Sequence, residues 1–393
     1  MKILQINSTC GFGSTGRIAV DILNTVCENG GEGLICYGRG TAPEGVPSYK
    51  IGSETLVRIH GVLSRITDRQ GFYSTNATKA LVRKIEEYDP DIIHLHNIHG
   101  YYLDIRVLFD YLKKCEKPIV WTLHDCWAFT GHCAYFTSSG CDKWKTGCNN
   151  CPSKKDYPQS LVVDNSEKNY NEKKELFTGL QNVTLVTPSI WLSELVSESF
   201  LKEYPVKVIN NGINTDIFKP TESDFKKRYA IEDKKVYLGV ASVWEERKGL
   251  RDLIKLSTLL NENEKLVVVG LTEEQVSELP DGIIGLKRTE NAKQLAEIYT
   301  AADVFLNPTY EDNYPTTNLE SICCGTPVVT YNTGGSPESL AGGRGITVPV
   351  GDTKAMYEAA QKLVGVKTDN TDEFDAQNKY LEYNGLYKEL LEK

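Results

Sequence analysis

No stretch of this 393-residue chain stays apolar for the roughly 20 residues that a membrane-spanning helix needs, so a spanning role is not expected. A positive charge balance is missing too. Lys and Arg number 44 against 53 Asp and Glu, and the formal charge of −9 argues against general nucleic-acid binding. Met1-Lys2-Ile3-Leu4 enters a strand-like run at once, without the apolar stretch and cleavage site of a secretory signal. A cytosolic location is therefore expected, where the 11 cysteines should be reduced or metal-bound. Internal repeats and low-complexity tracts do not stand out. What remains is ordinary globular composition, 40% apolar and 25% charged, with length enough for two domains, each with its own core.

Short β-branched runs alternate with helical patterns along the chain. KILQIN (2–7), GLICYG (33–38), DIIHLH (91–96), IVWTLH (119–124), VTLVTPS (183–189) and KVINNG (207–212) read as buried parallel strands of a first half. VYLGVAS (236–242), KLVVVG (265–270), GIIGLK (282–287), DVFLNP (303–308) and PVVTY (327–331) start the alternation again. Thr215 to about Asp233, polar and containing Pro220, reads as a linker between the halves. Phe374–Lys393 spaces Leu381, Leu386 and Leu390 along one helical face. Strand–helix alternation predicts right-handed crossovers and a parallel sheet in each half. The expected fold class is α/β, with two Rossmann-like, doubly wound domains facing across a cleft. Residues 1–213 form the first and residues 214–373 the second, and the helix 374–393 packs back on the first.

Gly11-Phe12-Gly13-Ser14-Thr15-Gly16 fits G-x-G-x-x-G after a strand and before a helix. The acid that a dinucleotide site places about 20 residues further on is missing. The second strand ends Cys36-Tyr37-Gly38-Arg39, and Arg39 would admit only a 2′-phosphate. Two readings stay open: a tight turn that needs glycine, or approach of an anion or sugar to Gly11 and Gly13.

The densest signal is YEDNYPTTNLESICCGTPVVTYNTGGSPESL, residues 310–340. Asp312 and Glu320 stand eight positions apart across Pro315 and a helix start, and a second turn with Gly334, Gly335 and Pro337 follows PVVTY. Such turns gather at the carboxyl edge of an open parallel sheet, where ligands bind. Carboxylates there suit hydroxyls, and helix amides suit anions. Earlier, Glu245-Glu246-Arg247-Lys248-Gly249 follows a strand and opens a helix. Cations are disfavoured at a helix start, so Arg247 and Lys248 are better explained as counter-charge for a departing diphosphate.

Together these residues resemble glycosyltransferase family 4 of the GT-B fold, whose members transfer sugars from nucleotide-sugars with retention and without a catalytic cofactor. The resemblance rests on Arg247-Lys248-Gly249, the Asp312/Glu320 spacing, CGTPVV at 324–329 and GGSPE at 334–338, with NNGIN at 210–214 and TLHD at 122–125 in the first half. HLHNIHGYY, VWTLHDCWAFTGHC and EDNYPTTNLE are similar to bacterial members that build capsule or exopolysaccharide, including colanic-acid-type enzymes. By this resemblance Glu320 holds the ribose, Asp312 or Glu311 holds a donor-sugar hydroxyl, and Arg247 and Lys248 meet the diphosphate with amides near Gly335. Asn313 and Tyr314 lie in the same donor motif, Arg288 lies in the turn near the base, and His124 contacts the sugar or the reacting centre. The family's usual first acid is Glu, whereas Asp312 holds that spacing and Glu311 stands one residue early. Its usual arginine five residues before the lysine is Val243 here. The implied partners are a UDP- or GDP-sugar donor and a lipid-linked oligosaccharide acceptor.

His94, His96, His99 and His124 lie on or just after two first-half strands. Alternation puts His94 and His96 on one face, where a metal pair is conceivable, but a satisfied buried histidine is the commoner case and is expected for His94. Asp89-Pro90-Asp91 contains D-x-D but precedes its strand and so lies at the wrong sheet edge. Cys133, Cys141, Cys148 and Cys151 fall in a polar insert, residues 126–158, and structural zinc is the expected staple. Reduced packed thiols and a redox C-x-x-C are the alternatives. Arg58, Arg65, Arg69, Lys79, Arg83 and Lys84 against one acid, Asp68, form a cationic segment suited to an anionic membrane or a pyrophosphate-linked lipid, or else a solvated helix face. Peripheral contact on the inner membrane face follows from the first of these. The rival functions are a nucleotide-sugar oxidoreductase or epimerase using the glycine loop, and a zinc-stapled glycan-binding scaffold.

Overall fold

Parallel strands buried on both faces carry unbroken apolar runs, and the chain supplies them in two sets. The computed structural model describes residues 1–369 and 371–393. In the first set β1 (Lys2–Thr9), β2 (Glu32–Arg39), β3 (Ser48–Lys50), β4 (Ile92–Leu95), β5 (Ile119–Thr122), β6 (Val183–Thr187) and β7 (Val206–Val208) form a parallel sheet in the order β3-β2-β1-β4-β5-β6-β7. In the second, β8 (Lys235–Val240), β9 (Glu264–Val269), β10 (Ile283–Leu286), β11 (Val304–Asn307), β12 (Val328–Tyr331) and β13 (Gly345–Val348) pair in parallel in the order β10-β9-β8-β11-β12-β13. Both orders reverse direction once, between β1 and β4 and between β8 and β11. These are doubly wound, Rossmann-like sheets, as expected, and each reversal is a ligand-binding switch point.

The chain divides into unit 1, Met1–Asn210 with Tyr380–Lys393, and unit 2, Asn211–Lys379. Each has its own core. Leu4, Ile6, Leu95, Trp121 and Leu185 centre unit 1, and Leu238, Val267, Phe305 and Val328 centre unit 2. The final helix, Ala376–Leu391, does return to unit 1. Its buried face is built from Tyr380, Tyr383, Leu386 and Tyr387, while Leu381 is 44% exposed. Of the three leucines only Leu381 lies off this face, which the tyrosines dominate because they carry more apolar surface and also bond inward. Tyr383 Oη pairs with Thr122 Oγ1 at 3.0 Å and Tyr387 Oη with His94 Nδ1 at 2.7 Å.

Two further expectations need correction. The segment read as a linker is docked on unit 2, where Phe218, Phe225 and Ile231 are buried around a short helix, Phe225–Arg228. Three well-spaced apolar anchors suffice to fold down an otherwise polar stretch. The insert carries its own aromatic cluster: Phe136 stacks on Trp144 at 5.0 Å and Phe129 meets it at 5.3 Å.

Candidate functional site

At the switch point of unit 2, the loops after β8 and β11 meet. Gly249 ends the first loop at φ +75°, and a Cβ there would lie 2.2 Å from Pro308 O, so only glycine lets the loops touch. Tyr310 N donates to Arg247 O at 2.8 Å and Arg247 Nη1 to Glu311 O at 3.1 Å. Lys248 Nζ donates to Asp312 Oδ2 at 2.5 Å, with 23% and 14% of the two side chains exposed. Burial lowers the Lys248 pKa and the Asp312 charge opposes that shift. Arg247 is also paired with Glu245 Oε2 at 3.0 Å.

The second glycine turn closes on the same loop. Gly334 sits at φ +55° with its would-be Cβ 1.9 Å from Asp312 O, and Gly335 N donates to that carbonyl at 3.3 Å. Pro315 precedes the helix Thr316–Cys323, as the sequence indicates, and this helix carries Glu320, buried and accepting a bond from Tyr299 Oη at 3.2 Å. Glu311, Asn313 and Tyr314 are buried beside Asp312 in the loop, and Asn211 Nδ2 donates to Tyr314 O at 3.2 Å. Arg247, Lys248, Glu311, Asp312, Asn313, Tyr314 and Gly335 thus fall at one sheet edge, with Glu320 on the adjoining helix. Arg288 lies exposed after the edge strand β10, two strands from β8.

Two supports escaped the sequence reading. Asn318 is fully buried; its Oδ1 accepts from Asn307 Nδ2 at 2.8 Å, and its Nδ2 donates to Ser339 Oγ at 2.9 Å and Ser336 Oγ at 3.4 Å. It fixes the Glu320 helix to β11 and to the second glycine turn. Asp252 Oδ2 accepts from Tyr310 Oη at 2.8 Å and Tyr331 Oη at 2.6 Å, tying the helix after Lys248 to β12. A small polar residue within a helix pattern and an acid on a helix give no periodic signal.

In unit 1 the glycine loop is a tight turn. Gly11 and Gly13 have φ +70° and +68°, a Cβ on Gly11 would strike Pro43 at 2.3 Å, and Gly11 N already donates to Gly16 O at 2.9 Å. Arg39 Nε is buried with no hydrogen-bond partner among the described residues.

The histidines form a chain with defined protons. Gln5 Nε2 donates to Ala19 O at 2.8 Å, which leaves Gln5 Oε1 to accept from His96 Nε2 at 2.8 Å. His96 Nδ1 must then accept from His124 Nε2 at 3.1 Å, so neutral His124 carries its lone pair on Nδ1. Burial lowers the His124 pKa to about 4, against the opposing Asp125 charge. His94 is satisfied by Thr122 and Tyr387 through its two ring nitrogens, as expected. His99 bonds Asp125 Oδ2 at 2.9 Å and Tyr157 Oη at 3.1 Å. Burial alone would raise the Asp125 pKa, but the His99 pair and the Trp127 N–H outweigh it and lower it. Asp91 bonds back to Lys2 N at 2.7 Å, at the amino edge of β4.

The zinc expectation is not supported. Cys133, Cys141, Cys148 and Cys151 do line one small pocket, and no cysteine among the described residues is in a disulfide. However, no three His, Cys, Asp or Glu side chains among the described residues are grouped to hold a metal ion. Cys133 and Cys151 share a thiol hydrogen bond that raises Cys133, with burial adding to it, and lowers Cys151 to about 7 against burial. Gly131 N donates to Cys148 Sγ at 3.2 Å. Buried Lys173 donates to Trp127 O and Thr130 O at 2.8 and 3.0 Å and lies 3.4 Å over the Trp127 ring. The aromatic cluster and this lysine supply the order that zinc was expected to give.

The cationic segment divides. Arg58 and Arg65 are exposed on the helix Glu54–Thr67, while Lys84 pairs with Glu87 at 3.2 Å. Arg69 is turned inward, bonded to Asn169 Oδ1 at 2.9 Å and to Glu172, with its guanidinium 3.7 Å over Phe72. Among the described residues no helix is long and apolar enough to cross a membrane.

Comparison with known proteins bears on both units. The model described as Glycosyltransferase Family 4 matches residues 32–217, and the model described as Glycosyl transferases group 1 matches residues 234–365. WcaC of Escherichia coli (strain K12), named as a colanic acid biosynthesis glycosyl transferase, is 24% identical over 371 residues, 88% of this chain and 87% of WcaC. A Campylobacter jejuni enzyme named N,N'-diacetylbacillosaminyl-diphospho-undecaprenol alpha-1,3-N-acetylgalactosaminyltransferase is 27% identical over 162 residues, 38% of this chain and 42% of its own. Sucrose-phosphate synthase from Thermosynechococcus elongatus matches with TM-score 0.73 at 16% identity, over 99% of this chain and 98% of that one. Anabaena Alr3699/HepE, solved in complex with UDP and glucose, matches with TM-score 0.69 at 14% identity, over 99% and 100%. These structural likenesses show the fold, the GT-B fold that the resemblance implies.

Proposed function

Since the chain belongs to the glycosyltransferases, with a family 4 and a group 1 domain, we propose that it moves a sugar from a UDP- or GDP-sugar to a lipid-linked oligosaccharide, with retention, in capsule or exopolysaccharide synthesis. The donor belongs to the domain of residues 214–373 and the acceptor to that of residues 1–213. The observation that carries this reading is the meeting of Lys248 with Asp312 at the switch point of the second sheet. When the bond from the sugar to the diphosphate breaks, its electron pair stays on the diphosphate, and the acceptor hydroxyl that forms the new bond gives up its proton. Lys248 and Arg247 bring fixed positive charge to the leaving oxygens, a type of stabilisation worth about 2.7–4 kcal/mol per donor. This role asks for no catalytic cofactor.

Glu320 takes the ribose hydroxyls, Asp312 or Glu311 a sugar hydroxyl, and His124, by the family resemblance, contacts the sugar or the reacting centre. Arriving phosphate would compete for Lys248 and free the Asp312 carboxylate to accept from the sugar. The polysaccharide setting draws support from the name of WcaC, and the lipid-linked acceptor from that of the Campylobacter enzyme. Work on such acceptors would take place at the cytoplasmic face of the membrane.

Thermal-shift screening of UDP- and GDP-sugars identifies the donor, since a ligand at 100 times its Kd adds about 2.7 kcal/mol. With that donor, Lys248→Ala should lower turnover about a hundredfold or more. Near-normal transfer by this variant would remove Lys248 from the reaction.

A further inference from the structure

The helix Glu54–Thr67 buries little and displays much. Val57, His60 and Ser64 face the core. Outward stand Leu56, Ile59, Val62, Leu63 and Ile66, which are 45%, 51%, 54%, 36% and 46% exposed. Their spacing of three, three, one and three gathers them into one stripe of a helix with 3.6 residues per turn. The stripe continues onto the segment after the cysteine pocket. Leu161 N donates to Arg65 O at 2.7 Å, and Leu161, Val162 and Val163 are 63%, 65% and 39% exposed. Five exposed apolar side chains therefore line one stripe of the helix, and three more follow in the segment bonded to its last turn, beyond the scattered single residues that a soluble protein tolerates.

The charges around the stripe select its partner. Arg58 and Arg65 are exposed on the same helix, and after Glu54 it contains no acid. The next acid, Asp68, is buried and taken by His132 and Asn165 N. On a protein with a formal charge of −9 this is a locally cationic, apolar surface. A second copy meeting the same patch about a two-fold axis would set arginines against arginines. A lipid surface with anionic headgroups takes both features, burying the apolar stripe at headgroup depth and pairing the arginines with phosphates. Fourteen residues make a helix of about 21 Å, suited to lying along the interface and too short to cross it.

We propose that the exposed face of Glu54–Thr67, with Leu161–Val163, is an interfacial surface that seats unit 1 on an anionic bilayer. Its biological use rests on the lipid-linked acceptor reading above, but the binding can be measured without any acceptor. The full chain is floated with vesicles of phosphatidylcholine alone and of phosphatidylcholine with 30% phosphatidylglycerol, neither containing a glycan carrier. Binding is expected to the anionic vesicles and to fall steeply with added salt. Ile59→Asp with Val62→Asp should reduce the bound fraction at least tenfold, and so should Arg58→Glu with Arg65→Glu. Both variants should keep the parent melting temperature and circular dichroism, because every altered side chain is exposed. Absence of binding by the parent overturns the proposal, as does equal binding by folded variants. A dimer in sedimentation that the Asp variant dissociates also overturns it, since the stripe would then be covered by a second copy. Anionic-vesicle binding that persists in an enzyme using only soluble acceptors sustains this surface and discards the lipid-linked reading.

Discussion

Acidification from pH 7 to pH 5 should strip unit 1 of much of its stability. His60, His94 and His96 are buried and His124 is half-buried, and burial is the leading cause that lowers each pKa: to about 4 for His60 and His124, and well below 6.5 for the other two. For His94 and His96 the neighbouring imidazoles add to the effect. In the unfolded chain each titrates near 6.5. Between 6.5 and 4 the unfolded state therefore binds protons that the folded state refuses, and stability is lost as the pH falls through that window. His60 and His124 each contribute about 2 kcal/mol between pH 7 and 5, about 4 kcal/mol together, and His94 and His96 act in the same direction. Asp21 runs the other way. Burial, against the Arg17 charge, raises it to about 6, which returns about 1 kcal/mol at pH 5. The net loss from His60, His124 and Asp21, about 3 kcal/mol before His94 and His96 are added, compares with total stabilities of roughly 5–15 kcal/mol for folded domains. Trp121, Trp127, Trp144 and Trp191 lie in unit 1 and only Trp244 in unit 2, so tryptophan emission during urea unfolding reports mainly on unit 1. The unfolding free energy at pH 5 should lie several kcal/mol below that at pH 7, and His60→Gln should flatten the dependence by about 2 kcal/mol. Stability at pH 5 within roughly 1 kcal/mol of that at pH 7 would refute the reasoning, because it would mean that these imidazoles take protons without unfolding.

Asn318→Leu should cost unit 2 about 1–3 kcal/mol, since it strands Asn307 Nδ2 in the core and removes the bond that Ser339 Oγ accepts; donor affinity should drop with it, read by calorimetry. Gly334→Ala meets both a left-handed backbone and the Asp312 carbonyl, so sugar transfer should fall at least tenfold while the melting temperature moves by only a few degrees. Tyr387→Phe leaves His94 Nδ1 without its partner and should destabilise unit 1 by about 1–3 kcal/mol, seen in urea unfolding.

The buried central strands could be read from composition because parallel strands covered on both faces need unbroken apolar residues. The two strands that the sequence did not announce are β3 and β13, three and four residues long and each at a sheet edge, where one neighbour and partial exposure relax that demand. The Lys248, Asp312 and Glu320 cluster was legible because glycine, proline and charge spacing mark turns at a strand's carboxyl end. Asn318, Asp252 and the Gln5–His96–His124 chain were not, because a polar residue's role depends on partners far away in sequence, as far as 91 positions for Gln5 and His96. The cysteine cluster misled for a related reason: spacing along a chain brings four thiols around one pocket without specifying whether they are grouped to hold a metal. Membrane contact was inferred from six cations, yet the exposed apolar stripe carries more of the argument, and alternation of Leu, Ile and Val on a helix looks the same whether it faces a core or a surface.

Tyr383 and Tyr387 sit beyond residue 379, so the first sheet to leave the ribosome is the last to be finished. Until unit 2 has been synthesised and the tyrosines have emerged, nascent unit 1 carries Thr122 and His94 without them. A chain stalled or cut near residue 379 would present quality-control proteases with a complete unit 2 and an unsealed unit 1.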